Sequence, residues 1–309
     1  MVRVLSLGET LVDILVEDRM ANWPEELAMR AYPGGSPANV AAALSCLGVE
    51  SWLVTLLGQD LFGEMIRTAL SELGVNRDFV FRLEMNTMQA LIKLDSEGIP
   101  GYSFLRDSRI ERLLPAVDPD ISLSDFDLIH CGSLGLAYRA ESDFFMEIIR
   151  KAQKQGIPVA LDPNIRHLPG IDKDYYHRLL EELMGAVSLL KASKEDLEIL
   201  FGTDYLSVLR EIRPEGSTFV TLGAEGALVL SGARREVVEQ NCQEEVVDTT
   251  GCGDVFMASI LAFLFQEGRR EWGFKRLLEA AHRGNRAAGW AARYQGALAG
   301  IKGLSELEE

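Results

Sequence analysis

Short apolar runs alternate with amphipathic stretches along almost the whole of this chain, and that rhythm leaves few folds open. "VRVLSLG" reads as a buried strand and "SPANVAAALSCLG" as a helix, with Ser36 as a candidate N-cap, Pro37 at the first helical position and Gly48 at the stop. "SWLVTLLG" is again strand-like, and "LFGEMIRTALSELG" is helix-like up to Gly74. Further on, "FDLIHCG", "IPVALDPN", "AVSLLKAS" and "STFVTLG" read as strands, with "AESDFFMEIIRKAQKQG", "DYYHRLLEELM" and "KEDLEILFG" between them as helices. Two more helices start near Asp254 and Phe274. Apolar strands that alternate with amphipathic helices predict a doubly wound, mostly parallel α/β sheet with helices on both faces. With 309 residues, 47% of them hydrophobic, the chain can bury such a core as a single domain spanning 1–309.

The rhythm breaks twice. "TMQALIKLDSEGIPGYSFLR" holds two extended runs around Ser96-Glu97-Gly98, the pattern of a hairpin. "TLVDILVED" follows Gly8 closely and is also extended. These stretches predict a small β-sheet lid built from segments about 10–32 and 86–110 within the one domain. The alternative is an antiparallel edge of the main sheet.

A formal net charge of −16 disfavours nucleic acid and anionic membranes as partners. An anionic substrate must then find local positive charge. Lys191, Arg106 and Arg166 are candidates: Lys191 just past a strand end, Arg106 at the end of the hairpin where it can close over a substrate, Arg166 just after "DPN". For each, a solvated surface position is the alternative. Cys46, Cys131, Cys242 and Cys252 form no C-x-x-C pair and suit core thiols in a reducing compartment. The first apolar stretch is broken by Glu9 and Asp13 and has no basic start, and "VFMASILAFLF" is too short to span a bilayer. The expectation is a soluble cytoplasmic protein.

"VVDTTGCGDVF" carries the most chemistry. In open parallel sheets ligands bind beyond the carboxyl ends of the strands. A helix that starts near Gly253 offers unpaired N–H groups and the positive end of its dipole, an anion site suited to phosphate. No Walker A loop and no G-x-G-x-x-G occurs in the chain. Asp254 at such a site fits two roles: a helix cap, or a base that takes the proton of an alcohol during phosphoryl transfer. "GGSPA" is one residue short of a hydrolase elbow, but no strand precedes it and Pro37 follows the serine. Asp13 is costly to bury unpaired, which favours a ligand-facing place for it.

"DTTGCGD" resembles the D-T-x-G-A-G-D signature of the ribokinase-like sugar kinase family, the phosphofructokinase B type. "GGSPANVAAALSCLG" resembles that family's other signature. "GQDLFGE", "LDPNIR" and "TLGAEGALV" also match, in family order and over nearly the whole chain. The resemblance implies an ATP- and Mg²⁺-dependent kinase that phosphorylates a hydroxymethyl group of a small sugar. It makes Asp254 the catalytic base and the N–H groups of Gly251, Cys252 and Gly253 the anion hole. Asp13, Gly34, Gly35 and Asn39 match sugar contacts, with Arg106 and Arg166 beside them. Thr221, Gly223 and Gly226 match the loop that lines the nucleotide, Lys191 and Ser193 its phosphate side, and Asn285 the adenine side. Asp248 and Thr250 match positions that hold a monovalent cation such as K⁺.

Two departures stand out. The family's Asn-x-x-Glu or Ser-x-x-Glu is here "SKED", so that Asp196, or Glu195 in its place, serves the Mg²⁺ waters. Cys252 stands where Ala is common. "GETLVDI", "LDPNIR" and "KASKEDL" look most like fructokinases. The 2-keto-3-deoxygluconate kinases and aminoimidazole riboside kinases are the alternatives, and a non-catalytic sugar or nucleotide sensor on this fold is the other class. The implied partners are the sugar, ATP and a second copy of the chain joined through the lid.

Overall fold

The structure, a computed structural model, describes residues 2–16, 28–94, 100–166, 170–240, 246–268 and 271–307. Nine strands form the main sheet: β1 (Arg3–Leu7), β4 (Glu50–Gly58), β5 (Val80–Leu83), β8 (Leu128–Gly132), β9 (Val159–Asp162), β10 (Leu189–Ser193), β11 (Ser217–Thr221), β12 (Ala227–Ser231) and β13 (Arg234–Val238). Four form a small one: β2 (Leu11–Val16), β3 (Met29–Gly34), β6 (Gln89–Leu94) and β7 (Pro100–Leu105). The main sheet runs β13-β12-β11-β10-β9-β8-β1-β4-β5. It is parallel from β5 to β11, and β12 and β13 close one end in antiparallel fashion.

Period-two alternation assigns the core. Val4, Leu53, Leu128, Ala160 and Leu189 point to the face covered by helices Ser36–Cys46 and Cys252–Leu264. Leu5, Val54, Ile129, Leu161 and Leu190 point to the face covered by Arg139–Lys154 and Lys173–Ala186. Burial on both faces is why these strands read as continuous apolar runs. The chain passes from β1 to β4 on one side and from β8 onward to the other, so the order switches beside β1. A switch point of this kind opens a crevice at the carboxyl ends of the strands.

The small sheet runs β3-β2-β6-β7, with β2 and β6 parallel and the other pairs antiparallel. Both breaks in the sequence rhythm therefore enter one separate sheet and not an edge of the main one, whose antiparallel end is made by β12 and β13. The Ser96-Glu97-Gly98 turn and residues 17–27 lie outside the described residues. The small sheet carries exposed Met29, Tyr102 and Leu105. Among the described residues no helix is long and apolar enough to cross a membrane.

Three local expectations are corrected. A strand, β3, runs directly into Gly35-Ser36-Pro37, where none was expected. The N-cap of helix Ser36–Cys46 is Gly35, at φ 106°, and Ser36 is its first residue, with its hydroxyl used elsewhere. Lys191 does not follow a strand; it lies inside β10 and is buried.

Candidate active site

Helix Cys252–Leu264 is set by what precedes it. Gly251 is its N-cap at φ 81°, and a Cβ there would lie 2.6 Å from the Ala297 Cβ, so glycine alone fits. The first helical bond is Val255 N–H to the Gly251 carbonyl at 2.9 Å. The N–H groups of Gly253 and Asp254 precede that ladder and stay open to a ligand. The Cys252 N–H donates to the Thr249 carbonyl at 3.2 Å, so this amide of the expected hole has an internal partner.

Asp254 is buried in the first turn. Ser36 Oγ–H donates to its Oδ1 at 2.6 Å and Asn39 Nδ2–H to its Oδ2 at 2.8 Å. Both oxygens are thus held by another helix, and neither caps its own. Burial pushes the Asp254 carboxyl up, while Ser36, Asn39 and the charges of Lys191 and Arg166 pull it back down.

Around this carboxylate the structure gathers Asp13, Gly34, Gly35, Lys191 and Arg166. Asp13, on β2, lies so close to Gly34 that a Cβ there would stand 2.3 Å from its Oδ2. Burial raises Asp13 to about 7, against the opposing charge of Arg166. The Arg166 guanidinium lies 5.8 Å from the Tyr102 ring centre and forms no ion pair among the described residues. Lys191 Nζ bonds Asp162 Oδ2 at 2.7 Å, with both side chains buried. Arg106 is committed elsewhere. Its Nε and Nη2 hold Glu141 at 2.6 and 2.8 Å, its Nη1 reaches Glu111 at 3.2 Å, and it stacks on Tyr138. Its expected closure over a substrate conflicts with this ion pair.

The remaining expected residues flank the site. Ser193 and Asp196 form a capping box at the start of helix Lys194–Phe201, and Asp196 also accepts the Ile165 N–H at 2.7 Å. That ties β10 to the loop after β9, while Glu195 is exposed. Thr221 ends β11, and Gly223 and Gly226, at φ 60° and 101°, shape the turn to β12. Asn285 is buried and donates to the Val238 and Glu239 carbonyls at 2.8 and 3.2 Å, an anchor for the end of β13. Asp248 accepts from the Thr250 N–H and Oγ–H, and from Gln295 and Gly296 on its other oxygen. No group of three His, Cys, Asp or Glu residues able to hold a metal occurs among the described residues. The carboxylates of the site come singly, a donor set that suits Mg²⁺ carried mainly on phosphates and water.

Sequence reading missed four residues. Glu9 is buried, accepts the Gly135 N–H at 2.8 Å, and is raised to about 7 by burial. Its signal was the one that marked Asp13, a carboxylate in an apolar run. Ser36 was read as a cap, Asp162 only as part of "LDPN", and His130 as one residue of a strand.

A clamped carboxylate beside open helix N–H groups, at a switch point of a parallel sheet, defines a group-transfer site for an anion. The pattern of pfkB family carbohydrate kinases matches residues 1–302. The chain belongs to this family and is a phosphotransferase acting on a sugar hydroxyl. It is 28% identical over 301 residues to Fructokinase-1 of Oryza sativa subsp. japonica, covering 96% of this chain and 93% of that one. A sugar kinase of Pyrococcus horikoshii solved in complex with ATP is 26% identical, with a TM-score of 0.75 and coverage of 96% and 94%. A fructokinase double mutant of Vibrio cholerae, bound to fructose, ADP and potassium ion, is 25% identical, with a TM-score of 0.77 and coverage of 97% and 95%.

Proposed function

We propose that this sugar kinase transfers the γ-phosphoryl group of ATP to a hydroxymethyl of fructose. The observation that carries the reading is Asp254, held by Ser36 and Asn39 beside the open amides of Gly253 and its own residue. The sugar sits against Asp13, Gly34, Gly35 and Asn39. Asp254 accepts the proton of the attacking hydroxyl, and the open amides stabilise charge on the transferred group. Mg²⁺ supplies charge neutralisation on the nucleotide phosphates, with Asp196 or Glu195 nearest its waters. Asp248 and Thr250 suit a K⁺ site, and Thr221, Gly223 and Gly226 a nucleotide wall. The fructose-bound and ATP-bound relatives support this assignment.

Arg166 favours a second substrate. A guanidinium with no ion pair among the described residues, near enough to Asp13 to lower it, suits a carboxylate, as on 2-keto-3-deoxygluconate. A panel of fructose, 2-keto-3-deoxygluconate, aminoimidazole riboside and fructose 6-phosphate with ATP, read as ADP release, tests both. Fructose turnover above the others is expected. Turnover of the keto acid alone would transfer the assignment to it.

A further inference from the structure

Lys191 was expected to meet phosphates, yet it is turned inward. Its side chain is 5% exposed and that of its partner Asp162 is 1% exposed. Its Nζ lies 3.0 Å from where a Cβ on Gly253 would stand. The ammonium therefore abuts the first turn of helix Cys252–Leu264, one residue before Asp254. A cation at a helix N-terminus opposes the dipole, so this placement does not serve the helix. Asp162 balances it incompletely: Oδ2 takes the ammonium, and Oδ1 has no hydrogen-bond partner. His130, wholly buried beside Ser6 in the neighbouring strand, has neither ring nitrogen paired. Burial and Lys191 hold it neutral, with its pKa down to about 3. An apolar pair would support the same sheet at least as well as a buried ion pair.

We propose that the Lys191–Asp162 pair sets the charge of Asp254: the ammonium behind Gly253 keeps that carboxylate ionised, and Asp162 limits how strongly. Lys191 and Asp162 are thus positioning residues for the base. This rests on reading Asp254 as the base.

The groups that act on Asp254 come from every side. Ser36 and Asn39 on one helix, Lys191 on β10 and Arg166 after β9 favour its ionised form. Glu9 after β1, Asp13 on β2 and Asp162 on β9 oppose it. Of the two cations, Lys191 alone is fixed by an ion pair among the described residues.

Two variants separate this from a structural role. Asp162→Asn leaves the ammonium uncompensated, still held charged by Asp196 and Asp254. The acid limb of the kcat profile should then move down by about one pH unit. Lys191→Met combined with Asp162→Asn removes both charges and leaves no orphan ion. Its limb should move up by about one pH unit, with KM for ATP changed far less than kcat. Limbs that stay in place, or that move in the same direction while kcat falls, overturn the proposal. The Asp254 carboxyl titration, followed by ¹³C NMR in the same three proteins, reads the inference without turnover. If the native protein phosphorylates no sugar, the kinase reading fails and the titration still decides the role of Lys191.

Discussion

Asp254 and Glu9 are both buried carboxylates, and their surroundings give them different work. Burial raises Asp254 as well, but two side-chain donors and two cations oppose the rise. Glu9 is lowered only by hydrogen bonds, from the Ser133 side chain and from the backbone of Gly135 and of Glu9 itself, and burial outweighs them. Its folded pKa, about 7, exceeds the ordinary 4.5. Its contribution to stability is therefore complete below that ordinary value and is lost as pH rises through about 7. Glu9→Gln keeps an acceptor for Gly135 and has no charge to bury. The variant should match the native protein at pH 4 and exceed it at pH 8 by up to about 3 kcal/mol in urea unfolding. Lower stability of the variant at pH 8 would contradict this. At this scale the sequence was legible where a motif placed a residue, as for Asn39 and Asp254. It was opaque for the Lys191–Asp162 pair, because two residues 29 apart meet only through neighbouring strands.

Among the elements, helix Cys252–Leu264 and helix Ser36–Cys46 make the site by meeting at their N-termini. Small residues announced both starts: glycines before one, Gly-Ser-Pro before the other. The spacing could not show that Ser36 serves the other helix, since that depends on how the two pack across β1. The fit at Gly251 makes a clear test. Gly251→Ala places a side chain against Ala297 and holds a non-glycine residue at φ 81°. Thermal unfolding should report a loss of about 1–3 kcal/mol. The displaced helix start should lower kcat by about 10²-fold, with the fold retained by circular dichroism. Full activity in this variant would show that the helix start need not be held where it is.

For the whole molecule, the alternation of strands and helices foretold the doubly wound sheet, because strands buried on both faces leave an uninterrupted apolar signature. β5, β12 and β13 were not foreseen. Val80–Leu83 is short and half-buried, and β13 is mostly exposed, so neither carries that signature. The small sheet was foreseen as extended runs, but not the parallel pairing of β2 with β6, which joins segments far apart in the chain. One of its faces keeps Met29 and Leu105 exposed at 48% and 51%, at its two edge strands, while Tyr102, 40% exposed, lies on the other face with Asp13. Apolar groups on an open sheet favour pairing with a second copy. Light scattering should report a homodimer, and Met29→Lys combined with Leu105→Lys should yield monomers. A native monomer at micromolar concentration would refute the lid-joined dimer.

The central claim is that Asp254, clamped by Ser36 and Asn39, is the base of the transfer. Asp254→Asn keeps the shape of the side chain and removes its basicity. Steady-state turnover of the preferred sugar should fall by about 10²–10⁴-fold, while calorimetry still shows sugar and ATP bound. Turnover equal to that of the native enzyme would remove Asp254 from that role.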